Sequence, residues 1–330
     1  MAHGSKRAVA SAIVGNGLVM IAKFVAFLFT GSAAMLSESL HSLADTLNQI
    51  LLMVGIVRSS RAADKRFPFG YGPERYVWAL MSAVGIFFLG CGVTIYHGVS
   101  AFLHPHPLSS LGWAIATLLA AFVIEGYVLY VAVKAVRADA AGRPFFNYMR
   151  HEADPSAVAV VLEDSAACFG ILLALAGVGL ARLTGEPRWD AAASILVGLL
   201  LGAVAMWLIA RTRHLLVGPA VPAQVRERIA RVLDANPVVD KIVRLRTRVI
   251  DTQTYRVAAE VEFAGDALAE KLEHKLRDAY PNIDSYEDFR AFASVYADDI
   301  VELLGDEVDS LEESIRHVAP RARYLDIEAD

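Results

Sequence analysis

Only two cysteines occur in the 330 residues, Cys91 and Cys168, each inside an apolar run and neither in a CxxC pair. Neither a disulfide framework nor a thiolate metal centre is implied. No aromatic-studded basic patch is legible and the formal charge is -5, so nucleic acid is not an expected partner. An HExxH helix motif is missing too, which leaves an intramembrane metalloprotease without its ligands or base. Charge itself is scarce: Asp, Glu, Lys and Arg make up 20% of the chain against 55% hydrophobic residues. With a mean hydropathy of +0.43, that balance excludes an ordinary soluble protein and points to a membrane.

A spanning helix needs roughly 20 mostly apolar residues, and six stretches supply them: about 8–29, 33–57, 76–102, 111–136, 155–183 and 190–210. Lys6 and Arg7 before the first run mimic a signal peptide, but the run is long enough to span and no Ala-x-Ala site follows, so a retained first helix is expected. Turn residues mark the breaks: Gly31-Ser32, a charged loop from Arg58 to Arg75, His104-Pro105-His106-Pro107, the polar segment Arg137 to Asp154, and Gly185-Glu186-Pro187. Basic residues crowd one side, including Arg58, Arg61, Lys65, Arg66, Lys134, Arg137, Arg211 and Arg213, whereas Arg182 and Arg188 fall on the other. By the positive-inside rule both termini lie on the cytosolic side, or its organellar equivalent. The expected location is a bacterial inner membrane.

Beyond the sixth run the pattern changes. Tyr255, Val257, Ala259, Val261 and Phe263 alternate with Arg256, Ala258, Glu260 and Glu262, the period of a half-buried strand. Ile242, Val243 and Leu245 suggest an earlier strand and Tyr324 to Ile327 a last one, with helices expected near 266–280, 287–304 and 307–318, the last two parted by Gly305. The reading is an all-α six-helix transmembrane domain over 1–210 and a small cytosolic α+β domain over 211–330, a ferredoxin-like βαβ-type sandwich.

Ionisable groups inside spanning runs carry the functional signal, because each costs at least a few kcal/mol there and is retained mainly where it faces a polar interior or pathway. His41 and Asp45 are four residues apart and share one helix face; Glu163 and Asp164 sit in the fifth run. Lys23 and Glu38 flank the Gly31 hairpin at similar distance, which predicts a structural ion pair, with an outer-gate role for Glu38 as the alternative. Glu125 fits a proton relay, an extra ligand or a buried polar contact. Asn16 and Asn48 are candidates to hydrogen-bond the ligands or other helices. Gly198 and Gly202 form a small-xxx-small stripe for close helix approach.

Ser39-Leu40-His41-Ser42-Leu43-Ala44-Asp45, Phe69-Gly70-Tyr71-Gly72-Pro73-Glu74-Arg75, Asp154-Pro155-Ser156 and Leu162-Glu163-Asp164-Ser165-Ala166-Ala167 together resemble the cation diffusion facilitator family, and most nearly its mitochondrial zinc transporter branch. The resemblance covers nearly the whole chain. It implies a homodimer exchanging a divalent metal for protons, with His41, Asp45 and Asp164 as ligands. The family's fourth ligand falls on Val160, leaving Glu163 or water for that place. A second site in the loop after the second span is not expected, since Phe67 and Tyr71 stand near Asp64 where imidazoles are often found. Past Leu215 the tail offers only His274 and His317 for metal, so its implied role is dimerisation.

A site of imidazole and carboxylate suits zinc as the transported substrate, not as a cofactor. Loading requires deprotonated ligands, and an imidazole with an ordinary pKa of about 6.5 switches near neutrality; proton-coupled antiport by alternating access follows. The rival reading is a non-transporting scaffold or heteromeric partner with the same fold.

Overall fold

In the computed structural model the chain forms two compact units, Met1–Arg213 and His214–Asp330. The structure describes every residue except Met1, Ser109, Ala141, 152–154 and Thr252, and side chains outside 1–15 and 150–159. Asp154 of the Asp154-Pro155-Ser156 motif, and the side chains of Lys6 and Arg7, lie outside the described residues.

Among the described residues, the regular structure of the first unit is all helical. Its elements are α1 (Ala2–Thr30), α2 (Ala33–Ser59), α3 (Glu74–Gly85) running through a π-helical stretch (Ile86–Val93) into α4 (Thr94–Leu103), α5 (Leu111–Ala140), a short α6 (Phe145–His151), α7 (Pro155–Thr184) and α8 (Arg188–Val217). Five helical segments among the described residues are long and apolar enough to cross a bilayer: Ala33–Ser59, Glu74–Leu103, Leu111–Ala140, Val160–Thr184 and Arg188–Val217. Asn16–Thr30 of α1 adds a shorter apolar stretch. Phe29, Phe88, Val123 and Leu183 are exposed on these helices, as side chains that meet lipid rather than water would be. Met35, Leu118, Ile171 and Val178 form the buried core from α2, α5 and α7.

Local chemistry sets the turns. Gly31 takes a φ of 65°, a left-handed conformation that favours glycine, and reverses the chain between α1 and α2. Ser32 then caps α2, its hydroxyl accepting from the Met35 amide at 3.1 Å. That hydroxyl donates in turn to Asp190 at 2.6 Å, while the Ala33 amide donates to the same carboxylate at 2.5 Å. Asp190 is buried at the start of α8, where these donors and the positive end of α2 offset its desolvation. The start of α8 is thereby pinned to the start of α2.

The glycine stripe works as its spacing predicts. A methyl at Gly198 would come within 2.7 Å of Ile95, and one at Gly202 within 2.8 Å of the Cys91 sulfur. Gly98 answers from the other side, 2.9 Å from Ser194 by the same measure. Small residues on both helices thus let α8 lie close along α4 and the π-helical stretch.

In the second unit α9 (Ala223–Asp234) precedes strands β1 (Val239–Asp251) and β2 (Thr254–Phe263). These are followed by α10 (Gly265–Lys271), α11 (Glu273–Ala279), α12 (Tyr286–Val318) and β3 (Ala322–Ala329). The sheet order is β1-β2-β3, with β1 antiparallel and β3 parallel to β2; α12 makes the crossover that a parallel pair requires. Val257, Ala259 and Val261 are buried against Ile229, Leu233, Leu311 and Ile315, which is what the alternation along β2 anticipates.

Three details depart from the sequence reading. The helix expected near 266–280 is broken into α10 and α11 where the buried Leu272 leaves the helical backbone at a ψ of 9°. Gly305 does not divide the last helical region: α12 is one helix of 33 residues. One mid-helix glycine costs only ~1 kcal/mol relative to alanine. A capping box between Ser285 and Asp288 and the burial of Leu311 and Ile315 outweigh it. Helix α9 is also unanticipated, although Val225, Ile229, Val232 and Leu233 recur at helical spacing and pack on the sheet.

Candidate metal centre

Helix α2 presents Glu38, His41, Ser42, Asp45 and Asn48 at three- and four-residue intervals on the side turned toward its neighbours. The helical repeat forces this sharing of a face, and packing of α2 against α1, α3 and α7 makes it an interior face. His41 Nε2 lies 3.3 Å from Asp45 Oδ2. The imidazole is buried and its Nε2 has no hydrogen-bond partner, because the contact is close but poorly aligned. A buried imidazole nitrogen and a carboxylate therefore face the same small volume, an arrangement costly for polar groups with no further partner.

On α7 the two neighbouring carboxylates do different things. Glu163 accepts a hydrogen bond from Asn48 Nδ2 at 3.2 Å, and the Ser82 hydroxyl donates to Asn48 Oδ1 at 2.8 Å. Ser82, Asn48 and Glu163 thus join α3, α2 and α7 in one chain of hydrogen bonds. The step of about 100° between adjacent helical residues does not keep Glu163 from α2. Asp164 retains a buried Oδ2 without a hydrogen-bond partner, within electrostatic reach of Glu125 and Asp45. Glu125, buried on α5, also acts on His41. Val160, one helical turn before Asp164, is 46% exposed and offers no donor atom.

Lys23 and Glu38 form the expected pair at 3.1 Å, both side chains fully buried. Lys23 also donates to Ser42 Oγ at 2.9 Å, one residue from His41. Asn16 is half-buried on α1 and takes no part in these hydrogen bonds.

Among the described residues no three His, Cys, Asp or Glu side chains are gathered closely enough to hold a metal ion. The structure brings together His41 with Asp45, and Glu163 with Asn48; Asp164 keeps an oxygen with no hydrogen-bond partner. Sequence reading passed over Ser82, Ser42 and Asp190. Their only signal was a polar residue inside an apolar run, which is common in spanning helices.

Comparison with known proteins adds a second line. Residues 9–217 match the family model described as the cation efflux transmembrane domain. The chain is 39% identical, over 98% of its length, to the mitochondrial proton-coupled zinc antiporter SLC30A9 of Xenopus laevis, and 36% identical to the human protein of that name. It is 38% identical to metal tolerance protein C4 of Arabidopsis thaliana, covering 98% of this chain and 73% of the plant protein. Only 59% of the frog protein and 58% of the human one is matched, so the chain spans about three fifths of those animal relatives. One expectation is overturned. The animal relatives are named as mitochondrial, which points to a multi-pass protein of an organelle membrane rather than of a bacterial inner membrane.

Proposed function

Because this chain belongs to the cation efflux family, the cation diffusion facilitators that its motifs resemble, we propose that it exchanges a divalent cation, zinc, for protons across an organelle membrane. The observation that carries the reading is the pairing of His41 with Asp45 on a buried face of α2, in a chain alike over 98% of its length to proteins named as proton-coupled zinc antiporters. His41, Asp45 and Asp164 are the ligands, with Glu163 as the fourth where Val160 supplies none. Imidazole and carboxylate together suit zinc's tetrahedral preference. Protons and metal compete for the same atoms, since ligands must be deprotonated to bind, and that competition is the coupling. Asn48 orients Glu163, Glu125 relays protons, and the His214–Asp330 unit pairs two copies of the chain. The role is transport, not catalysis of a covalent reaction.

The test is zinc flux into proteoliposomes under an opposing proton gradient. Wild type carries zinc; His41→Ala, Asp45→Ala and Asp164→Ala abolish flux, and Glu163→Gln weakens it. A second reading, a non-transporting scaffold of the same fold, draws on the apolar Val160 and on the separation of the carboxylates. Equal flux for wild type and Asp45→Ala would favour it.

A further inference from the structure

The loop between α2 and α3 carries chemistry that the transport reading does not use. Residues 58–75 hold five basic side chains, Arg58, Arg61, Lys65, Arg66 and Arg75, against two acidic ones, Asp64 and Glu74. Asp64 is spent on the loop's own shape. Its Oδ1 accepts from the amides of Arg66 and Phe67 at 2.9 and 2.8 Å, and its Oδ2 from the Tyr71 hydroxyl at 2.9 Å. Gly70, at a φ of 78°, closes the turn by donating to the Phe67 carbonyl at 2.9 Å. The Phe67 amide, and after it the Tyr71 hydroxyl, hold the Asp64 carboxyl below the usual carboxylate range.

On this latched backbone the arginines stack on rings. Arg58 lies 5.2 Å from the Trp78 ring, Arg61 5.9 Å from Tyr71, and Arg66 5.7 Å from Phe67. Phe67 and Tyr71 pack together with centroids 4.6 Å apart. The sequence alone shows no aromatic-studded basic patch; folding of the loop builds one. Stacking uses the face of a guanidinium and leaves its in-plane N–H donors for a planar or tetrahedral oxyanion. Phe67 and Phe69 are exposed on a loop whose two flanking helices cross the membrane. Cations beside exposed rings, on a loop that joins two spanning helices, suit a ligand with an anionic head and an apolar tail.

We propose that the Arg58–Arg75 loop is a binding site for the headgroup of an anionic phospholipid, with Arg61 and Arg66 holding the phosphate and Phe67 and Phe69 entering the acyl boundary. A soluble phosphate would use the guanidinium groups but not the phenyl rings. The proposal is independent of the metal centre.

The test is native mass spectrometry of the full chain, released from detergent with equimolar phosphatidylglycerol and phosphatidylcholine. Wild type retains phosphatidylglycerol in preference. Arg61→Gln/Arg66→Gln lowers that retention about 25-fold, at about fivefold for each basic group near the surface, while an unchanged melting temperature verifies the fold. Arg61→Lys/Arg66→Lys keeps the charge but not the planar fork, and falls between the two. Equal retention of both lipids by wild type, an unchanged affinity in the Gln pair, or displacement of phosphatidylglycerol by excess inorganic phosphate would each overturn the proposal.

Discussion

Replacing Asn48 by leucine is the sharpest probe of how the candidate site is held together. Asn48 is buried, accepts from Ser82 at 2.8 Å and donates to Glu163 at 3.2 Å; leucine has the same branched shape, with bulkier methyl groups, and can do neither. Hydrogen bonds between spanning helices average ~0.6 kcal/mol and reach ~1.7 kcal/mol, so losing two costs about 1–3 kcal/mol of stability. At roughly 2–4 °C per kcal/mol for a domain of this size, the melting temperature should fall by several degrees. The functional loss is larger if Glu163 binds metal, because an unsupported ligand must be ordered at the moment of binding; partners of this kind are worth about 10–100-fold in affinity. Ser82→Ala removes one bond, leaves the Asn48–Glu163 contact in place, and should lie between wild type and Asn48→Leu. The assay is zinc titration of the purified protein alongside thermal melting. Zinc affinity for Asn48→Leu within about twofold of wild type, against that 10–100-fold expectation, would refute the claim that Asn48 orients a ligand.

Further expectations rest on separate observations. A methyl at Gly177 meets the side chain of Ala193 and comes within 3.0 Å of the Trp189 carbonyl, whereas one at Gly179 meets nothing within 4 Å. Gly177→Ala should therefore cost ~1–3 kcal/mol by overpacking and Gly179→Ala should be neutral or stabilising, with melting curves as the check. Removing the cap of α12 by Ser285→Ala, which breaks the 3.1 Å bond from the Asp288 amide, should cost ~1 kcal/mol and speed hydrogen exchange in its first turn. Asp64 is held below the usual carboxylate range by the Phe67 amide first and the Tyr71 hydroxyl second. Its contribution to loop order is accordingly complete above the ordinary aspartate pKa and is lost as pH falls through the lowered value. Exchange protection of the Phe67 amide should match that at neutrality down to about pH 5 and disappear in Asp64→Ala at every pH; loss near neutrality in wild type would contradict the latch.

Five of the six expected spans, the hairpin at Gly31, the glycine stripe and the alternating strand β2 were legible in the sequence. Each follows from a repeat, 3.6 or 2 residues, or from one backbone angle, and such local rules need no knowledge of neighbours. The same periodicity placed His41 and Asp45 on one face, and similar distances from Gly31 placed Lys23 beside Glu38. What lay across from that face was decided only by folding. Asn48 linking Ser82 to Glu163, the Asp190 pin on Ser32, and the arginines stacked over Trp78, Tyr71 and Phe67 depend on helix rotation and loop path. Those are set by packing summed over many side chains, which no short window of sequence contains. Gly305 marks the same boundary from the other side: read alone it ends a helix, and burial of Leu311 and Ile315 beyond it, with the cap at Ser285, explains why the helix continues.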